Sequence, residues 1–337
     1  MFKNLFIALL CFGLSLPLQA KTFKIATLAP DGTTWMEELK KGADEIKART
    51  QGRVKFRFYP GGIMGNDKSV LRKIRIGQLH GGAITGGGLS DIYPDAQVYS
   101  LPLAFNSTDE VDYVRQRMDK KLIANLKDEG YVSFGFSEGG FAYVMSDTPI
   151  ATVADMKGHK VWSPEGDEMS RAAFESVGVS PIPLPLTDVL TGLQTGLIDT
   201  IGSSTMGAVA LQWYTRIQNM TQTPLMYLYG TMVIRNKTFN SINAEDQAIV
   251  TEVMNDVFKR LDKLNREDNE KAKEALKNQG IHFVYPTEAE QQEWRDTVQK
   301  AVASLIKKGV VSQAMADELY GHLRDYRKSQ AALAKSH

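Results

Sequence analysis

The chain has almost no sulfur chemistry available to it: of 337 residues one is cysteine, Cys11, near the N-terminus, so no disulfide can form within the chain. No excess of charge stands out either, with 40 Lys and Arg against 39 Asp and Glu. The basic patch that a nucleic-acid partner needs is therefore not expected. After residue 20 no apolar run approaches the roughly 18 residues that a membrane span requires. The five histidines, His80, His159, His282, His322 and His337, lack the i, i+4 pairing or cysteine partners of a zinc site.

Motifs for covalent and phosphate chemistry are missing too. Ser203-Ser204 lacks the flanking glycines of a nucleophile elbow. The Gly86-Gly87-Gly88 run has neither the lysine-serine ending of a P-loop nor the spacing of a dinucleotide fingerprint, and reads as a turn. Asp262, Arg266, Asp268 and Glu270 read as the solvated face of a helix. No catalytic residue, metal ligand or cofactor is assigned, and an enzyme is not the expected class. An exported hydrolase with an acid pair in a cleft is the minor alternative.

What is present begins with an export signal: Lys3, an apolar run from Leu5 to Leu16, a break at Pro17 and a small residue at Ala20, after which cleavage would leave Lys21 first. Leu10 before Cys11 argues against a lipoprotein. The exported chain then loses Lys3 and carries equal numbers of basic and acidic residues. About 317 residues exceed what one core usually organises, so two lobes are expected.

Periodicity supports an α/β fold. Thr22–Leu28 and Val54–Tyr59 read as strands, Thr33–Arg49 and Asp67–Ile76 as helices, and residues 82–87 as a third strand, the order of a parallel sheet with covering helices. Two apolar runs, Val132–Phe136 and Phe141–Met145, flank Gly139-Gly140 and read as a crossing between lobes. Alternation resumes over 160–203, with helices at Asp167–Val177 and Thr187–Leu197, and Met226–Ile234 reads as the return crossing. Residues 244–278 hold no Gly or Pro and repeat apolar residues at helical spacing, predicting a helix roughly 50 Å long that runs along both lobes. Helices at 287–308 and 312–330 follow. Two lobes joined this way hinge around a ligand held in the cleft.

Four local patterns in order, Tyr59-Pro60-Gly61-Gly62 with Met64-Gly65, Tyr93-Pro94 before Leu101-Pro102-Leu103, Ala154-Asp155-Met156-Lys157-Gly158, and Leu193-Gln194-Thr195-Gly196 with Asp199, resemble substrate-binding proteins of tripartite ATP-independent periplasmic (TRAP) transporters, DctP type. The resemblance spans nearly the whole exported chain. It implies a two-lobe periplasmic binding protein fold, type II-like, with a long helix spanning both lobes, a periplasmic location, a small-molecule ligand and docking to an integral-membrane TRAP permease. The expected division is 1–20 signal peptide, 21–142 with 231–267 lobe I, 143–230 with 268–330 lobe II, and 331–337 a tail.

The departures from the resembling family concern charge. Carboxylate-binding members carry Lys-x-Arg-x-Pro after the Asp-Met-Lys-Gly turn, and that arginine grips the ligand carboxylate. Here the segment is Lys160-Val161-Trp162-Ser163-Pro164. A second arginine position falls on Ala142, an aromatic position on Leu186, and an asparagine position on Ser203. The resemblance then implies an apolar or amphipathic cargo, as in the subgroup associated with tetratricopeptide-repeat partners. Candidate ligand residues are Leu28, Trp35, Met64, Thr85, Phe141, Trp162, Leu186, Ser203, Met206 and Tyr229. Replacing Trp162 with alanine is expected to weaken binding and leave the fold intact. The alternatives are a sensor or carrier delivering its ligand to a partner protein, and an organic-acid binder with a displaced cation; Arg171 is read as a helix-surface residue and not that cation.

Overall fold

The computed structural model describes residues 20–335, so the leader expected over residues 1–20 lies, except for Ala20, outside the described residues. The first half comprises β1 (Lys21–Ala26), α1 (Thr34–Arg49), β2 (Val54–Tyr59), α2 (Asp67–Arg75), β3 (Gly81–Thr85), α3 (Thr108–Asp128), β4 (Tyr131–Ser133) and β5 (Ser137–Ser146). Then come β6 (Trp162–Pro164), α4 (Glu168–Ser176), β7 (Ile182–Leu184), α5 (Val189–Thr195), β8 (Thr200–Ser203), α6 (Thr205–Ala210), β9 (Asn219–Thr221) and β10 (Met226–Arg235). The chain closes with α7 (Asn236–Phe239), α8 (Ala244–Asn278), β11 (His282–Val284), α9 (Glu288–Lys307) and α10 (Gln313–Lys335). No described helix is long and apolar enough to cross a membrane.

A single connected sheet organises both lobes, in the order β11-β9-β5-β10-β3-β1-β2, with β4 on β10 and β8 on β5. β1 runs parallel to β2 and β3, as expected of strands joined by α1 and α2. The two ten-residue strands β5 and β10 form the antiparallel ribbon between lobes. One end of β10 pairs with β3, and the far end of β5 pairs with β8 and β9. Their register shifts between Leu228 and Tyr229, opposite Gly139 and Gly140. Gly140 holds φ +89°, a conformation glycine adopts without strain.

α8 is the long helix the unbroken 244–278 pattern calls for, N-capped by Asn243 accepting from the Asp246 amide. Its first half buries Val250, Val253, Val257 and Phe258 in a core with Phe23, Ile25 and Ile46, and Leu276 near its end joins a second core with Trp162, Ile201 and Trp213. Between these, Asn269 donates to the Gly139 carbonyl at 3.3 Å, and its Oδ1 accepts from the Met206 amide at 3.1 Å. This residue ties helix, ribbon and α6 together at the crossing.

Two findings depart from expectation. α3, of 21 residues, lies in a stretch where no element is expected, although Val111, Val114, Met118, Leu122 and Leu126 recur at helical spacing and are all buried. The division placing 268–330 wholly in lobe II does not describe α10. Whereas α9 packs on α4, α10 returns to lobe I beside α3 and the Pro94–Ser100 turn. Arg327 pairs there with Glu110 at 2.7 Å, Lys121 with Glu318, and Ser312 donates to Asp95 at 2.7 Å. An amphipathic pattern announces an apolar face, here Met315, Ala316, Leu319 and Leu323, without naming the surface that covers it.

Candidate functional site

Between the lobes lies a cavity of about 450 Å³. Lobe I supplies the loop after β1, the first turns of α1 and α2, and the end of β3 running into Gly86-Gly87-Gly88; lobe II supplies Trp162 of β6, the Pro164–Asp167 turn, Pro185-Leu186 and the β8–α6 junction. The ribbon and α8 form its back wall. The lobes touch at the rim, where Asn66 Nδ2 of lobe I donates to Glu165 Oε2 of lobe II at 2.8 Å.

Three indoles line the wall, Trp35, Trp162 and Trp213, and the first two set its character. Trp162 is 3% exposed, donates its N–H to the Leu184 carbonyl at 3.0 Å, and meets Trp213 edge-to-face at 5.3 Å. Trp35 donates to Ser137 Oγ at 3.3 Å and stands edge-on to Phe258 at 6.4 Å. Both N–H groups are thus committed to protein acceptors, leaving apolar ring surface to face the cavity. Leu28, Leu186 and Met206 extend that surface.

The polar wall residues are also engaged. Thr85 Oγ1 donates to Asp67 at 2.6 Å and Ser203 Oγ to the Ser204 carbonyl at 3.1 Å. Tyr229 donates to the Ala96 carbonyl and stacks on Tyr227 at 5.9 Å; burial pushes its hydroxyl pKa well up. Of the ten candidates, the structure brings Leu28, Trp35, Thr85, Trp162, Leu186, Ser203, Met206 and Tyr229 to this one wall. Met64 and Phe141 are not on it. Met64 packs against the core, and its carbonyl accepts from Lys73 at 2.7 Å. Phe141 points to the opposite face of β5 from the wall residue Ala142, its ring 5.7 Å from Tyr227. Side chains alternate along a strand, so the two neighbours cannot share a face.

No arginine lines the cavity among the described residues, and the single basic wall residue is Lys68, exposed. Arg171 lies on the surface of α4, paired with Glu168 and Glu175. Arg115 and Arg266 sit behind the ribbon. Arg115 binds Asp119 and Asp262 at 3.2 and 3.0 Å, and Arg266 binds Asp112 and Glu138 at 2.6 and 2.8 Å.

Sequence reasoning missed the carboxylates. Asp67, beside the N-cap of α2, accepts from the Thr85 amide and hydroxyl through Oδ2, while its Oδ1 is buried without a partner. Asp167, the N-cap of α4, accepts from the Met169 and Ser170 amides and from Ser170 Oγ. Burial pushes both carboxyls up, Asp67 to about 6. Both crowd the glycine run: a Cβ on Gly87 would stand 3.2 Å from the Asp167 carboxylate, and one on Gly88 2.3 Å from Asp67 Oδ2. These glycines permit close approach and not merely a turn. The local signals read only as helix starts, and nothing in the spacing brings the two together.

Residues 25–308 match the model of DctP, the bacterial extracellular solute-binding protein family 7. The chain is 25% identical over 276 residues to the 2,3-diketo-L-gulonate-binding periplasmic protein YiaO of Escherichia coli, covering 80% of this chain and 82% of that one. It is 22% identical over 302 residues to the sialic acid-binding periplasmic protein SiaP of Vibrio cholerae, covering 88% and 93%. A TRAP periplasmic solute binding protein from Shewanella oneidensis, solved with bound succinate, shares the fold with a TM-score of 0.84 at 20% identity, over 90% of this chain and 99% of that one.

Proposed function

Because the chain belongs to the bacterial extracellular solute-binding proteins of family 7, a family of non-enzymatic binding proteins, we propose that it is the periplasmic subunit of a TRAP transporter whose cargo has an apolar body and no gripping carboxylate. Residues 21–142 with 231–267 form one jaw and 143–230 the other, hinged at the Gly139-Gly140 crossing. The observation that carries this reading is the wall: indole and aliphatic carbon, with no guanidinium among its described residues. YiaO and SiaP are named for acids, and the Shewanella protein holds one. An isolated carboxylate enclosed without a cationic partner costs several kcal/mol, and here it would also face the carboxylates of Asp67 and Asp167.

Leu28, Trp35, Leu186 and Met206 would hold the apolar body, and Trp162 would support it from the second jaw. Calorimetric titration with succinate, galacturonate and sialic acid tests the reading. Each is expected to bind no tighter than about 1 mM; micromolar binding of any of them would overturn it. The loaded protein would dock on the membrane permease subunits. Transfer to a tetratricopeptide-repeat partner rests on the same apolar wall, and co-purification with one or the other separates the two deliveries.

A further inference from the structure

Six acidic residues line the cavity against one lysine. Four have evident circumstances. Glu138 meets Arg266 at 2.8 Å, Glu165 accepts from Asn66, Asp268 accepts from Thr34 with Lys271 at 3.5 Å, and Asp91 is exposed. Asp67 and Asp167 remain. They come from opposite lobes, flank Gly87 and Gly88, and have hydroxyl and amide donors but no ion-pair partner. One oxygen, Asp67 Oδ1, is buried with no donor at all.

We propose that the ligand carries a basic nitrogen, bound as an ammonium between Asp67 of lobe I and Asp167 of lobe II, with its apolar body against Trp35, Trp162 and Leu186. This rests on the interlobe cavity being the ligand site. An ammonium has three donors and no acceptor, so it supplies the donor that Asp67 Oδ1 lacks, bonds to both carboxylates and compensates one of the two enclosed negative charges. A hydroxyl would donate once and leave both charges. Burial raises both carboxyls, as it does where a counter-charge is absent. A divalent metal fits worse, since calcium takes six to eight oxygens and only one oxygen here is free. The one cluster with metal-ligand spacing among the described residues, Asp147, His159 and Asp199, lies off the cavity wall. The arrangement also couples binding to closure: two like charges on opposing jaws repel until a cation joins them, so the ligand favours the closed state.

The test is a matched panel of hexyl, 2-phenylethyl and 2-(indol-3-yl)ethyl bodies, each as amine, alcohol and carboxylate, read by thermal shift and calorimetry on the wild type and on Asp67→Asn and Asp167→Asn. Asparagine keeps the one oxygen that Asp67 uses and the oxygen of Asp167 that caps α4, giving up only the bond from Ser170 Oγ; either variant alone suffices if the other fails to fold. At least one amine is expected to bind about tenfold tighter than its alcohol, and the variants to erase that preference. The proposal is overturned if no amine outbinds its alcohol, if the preference survives the variants, or if Ca²⁺ alone stabilises as much as the amine. Equal amine and alcohol with a weaker carboxylate would remove the ammonium and leave the apolar reading standing; a carboxylate binding tightest would remove both.

Discussion

Two groups of partly buried charge lie on opposite sides of the β5–β10 ribbon and are completed differently. Behind the ribbon, Asp112, Asp119, Glu138 and Asp262 each meet a guanidinium, Arg115 or Arg266, and Arg115 also donates to the Phe136 carbonyl and the Tyr227 hydroxyl. In front of it, Asp67 and Asp167 meet only hydroxyls and amides. The rear group has its counter-charges within the chain and serves the fold. The front group has its charge without a counterpart, and the cavity beside it is where a counterpart fits. Enclosed charge is structural when the protein completes it and points to a ligand when it does not.

The contrast breaks most visibly from behind. Arg115→Met leaves Asp119 and Asp262 uncompensated and should destabilise the protein by about 3–5 kcal/mol, read as a lowered urea midpoint; a loss below about 1 kcal/mol would show that the rear network is not structural. Trp162→Ala should cost a similar amount, about 3–5 kcal/mol, because the indole is 3% exposed and carries the Trp213 contact and the Leu184 hydrogen bond. That cost revises the expectation of an intact fold. Trp162→Phe is the gentler probe of ligand contact, expected to lose about 1–2 kcal/mol of stability.

The front group should respond in the opposite sense. Asp67 is pushed from 3.8 to about 6 chiefly by burial; the Thr85 hydrogen bonds oppose this, Asp91 and Asp167 add to it, and Lys68 flanks it. The folded ligand-free protein keeps this proton where the unfolded chain has lost it. Stability from this group therefore falls as pH rises from about 4 to about 6, and the deficit persists above that. Allowing for the partial exposure of the residue, Asp67→Asn should stabilise the ligand-free protein by about 1–2 kcal/mol at pH 7.5 and by little at pH 4.5. Denaturation midpoints at both pH values check it, and a destabilised variant at pH 7.5 would put Asp67 with the rear group. The smallest effect belongs to the rim. Glu165→Ala removes one hydrogen bond between the jaws at an exposed site and leaves the cap that Asn66 makes for α2; it should weaken ligand binding by about 0.5–1 kcal/mol, mainly through faster release.

Much of the framework was legible beforehand. The Gly- and Pro-free run 244–278 is α8 residue for residue, and the apolar runs around Gly139-Gly140 and Met226–Ile234 are the crossing ribbon. Eight of the ten candidate residues meet at one wall. The face that Phe141 takes is not legible, because strand parity follows from pairing, which a short glycine-interrupted run leaves open. The surface that α10 covers is not legible, because its partners α3 and the Pro94–Ser100 turn are distant in sequence. The two aspartates were hidden for the same reason. Each reads locally as a helix start, and only the fold sets them on either side of Gly87-Gly88.

Native mass spectrometry of gently purified protein, followed by extraction of the bound molecule, probes the cleft most directly. A molecule with an apolar body, a basic nitrogen and no free carboxylate is expected. A sugar acid or simple dicarboxylic acid released from the cleft would contradict both the apolar reading and the ammonium site.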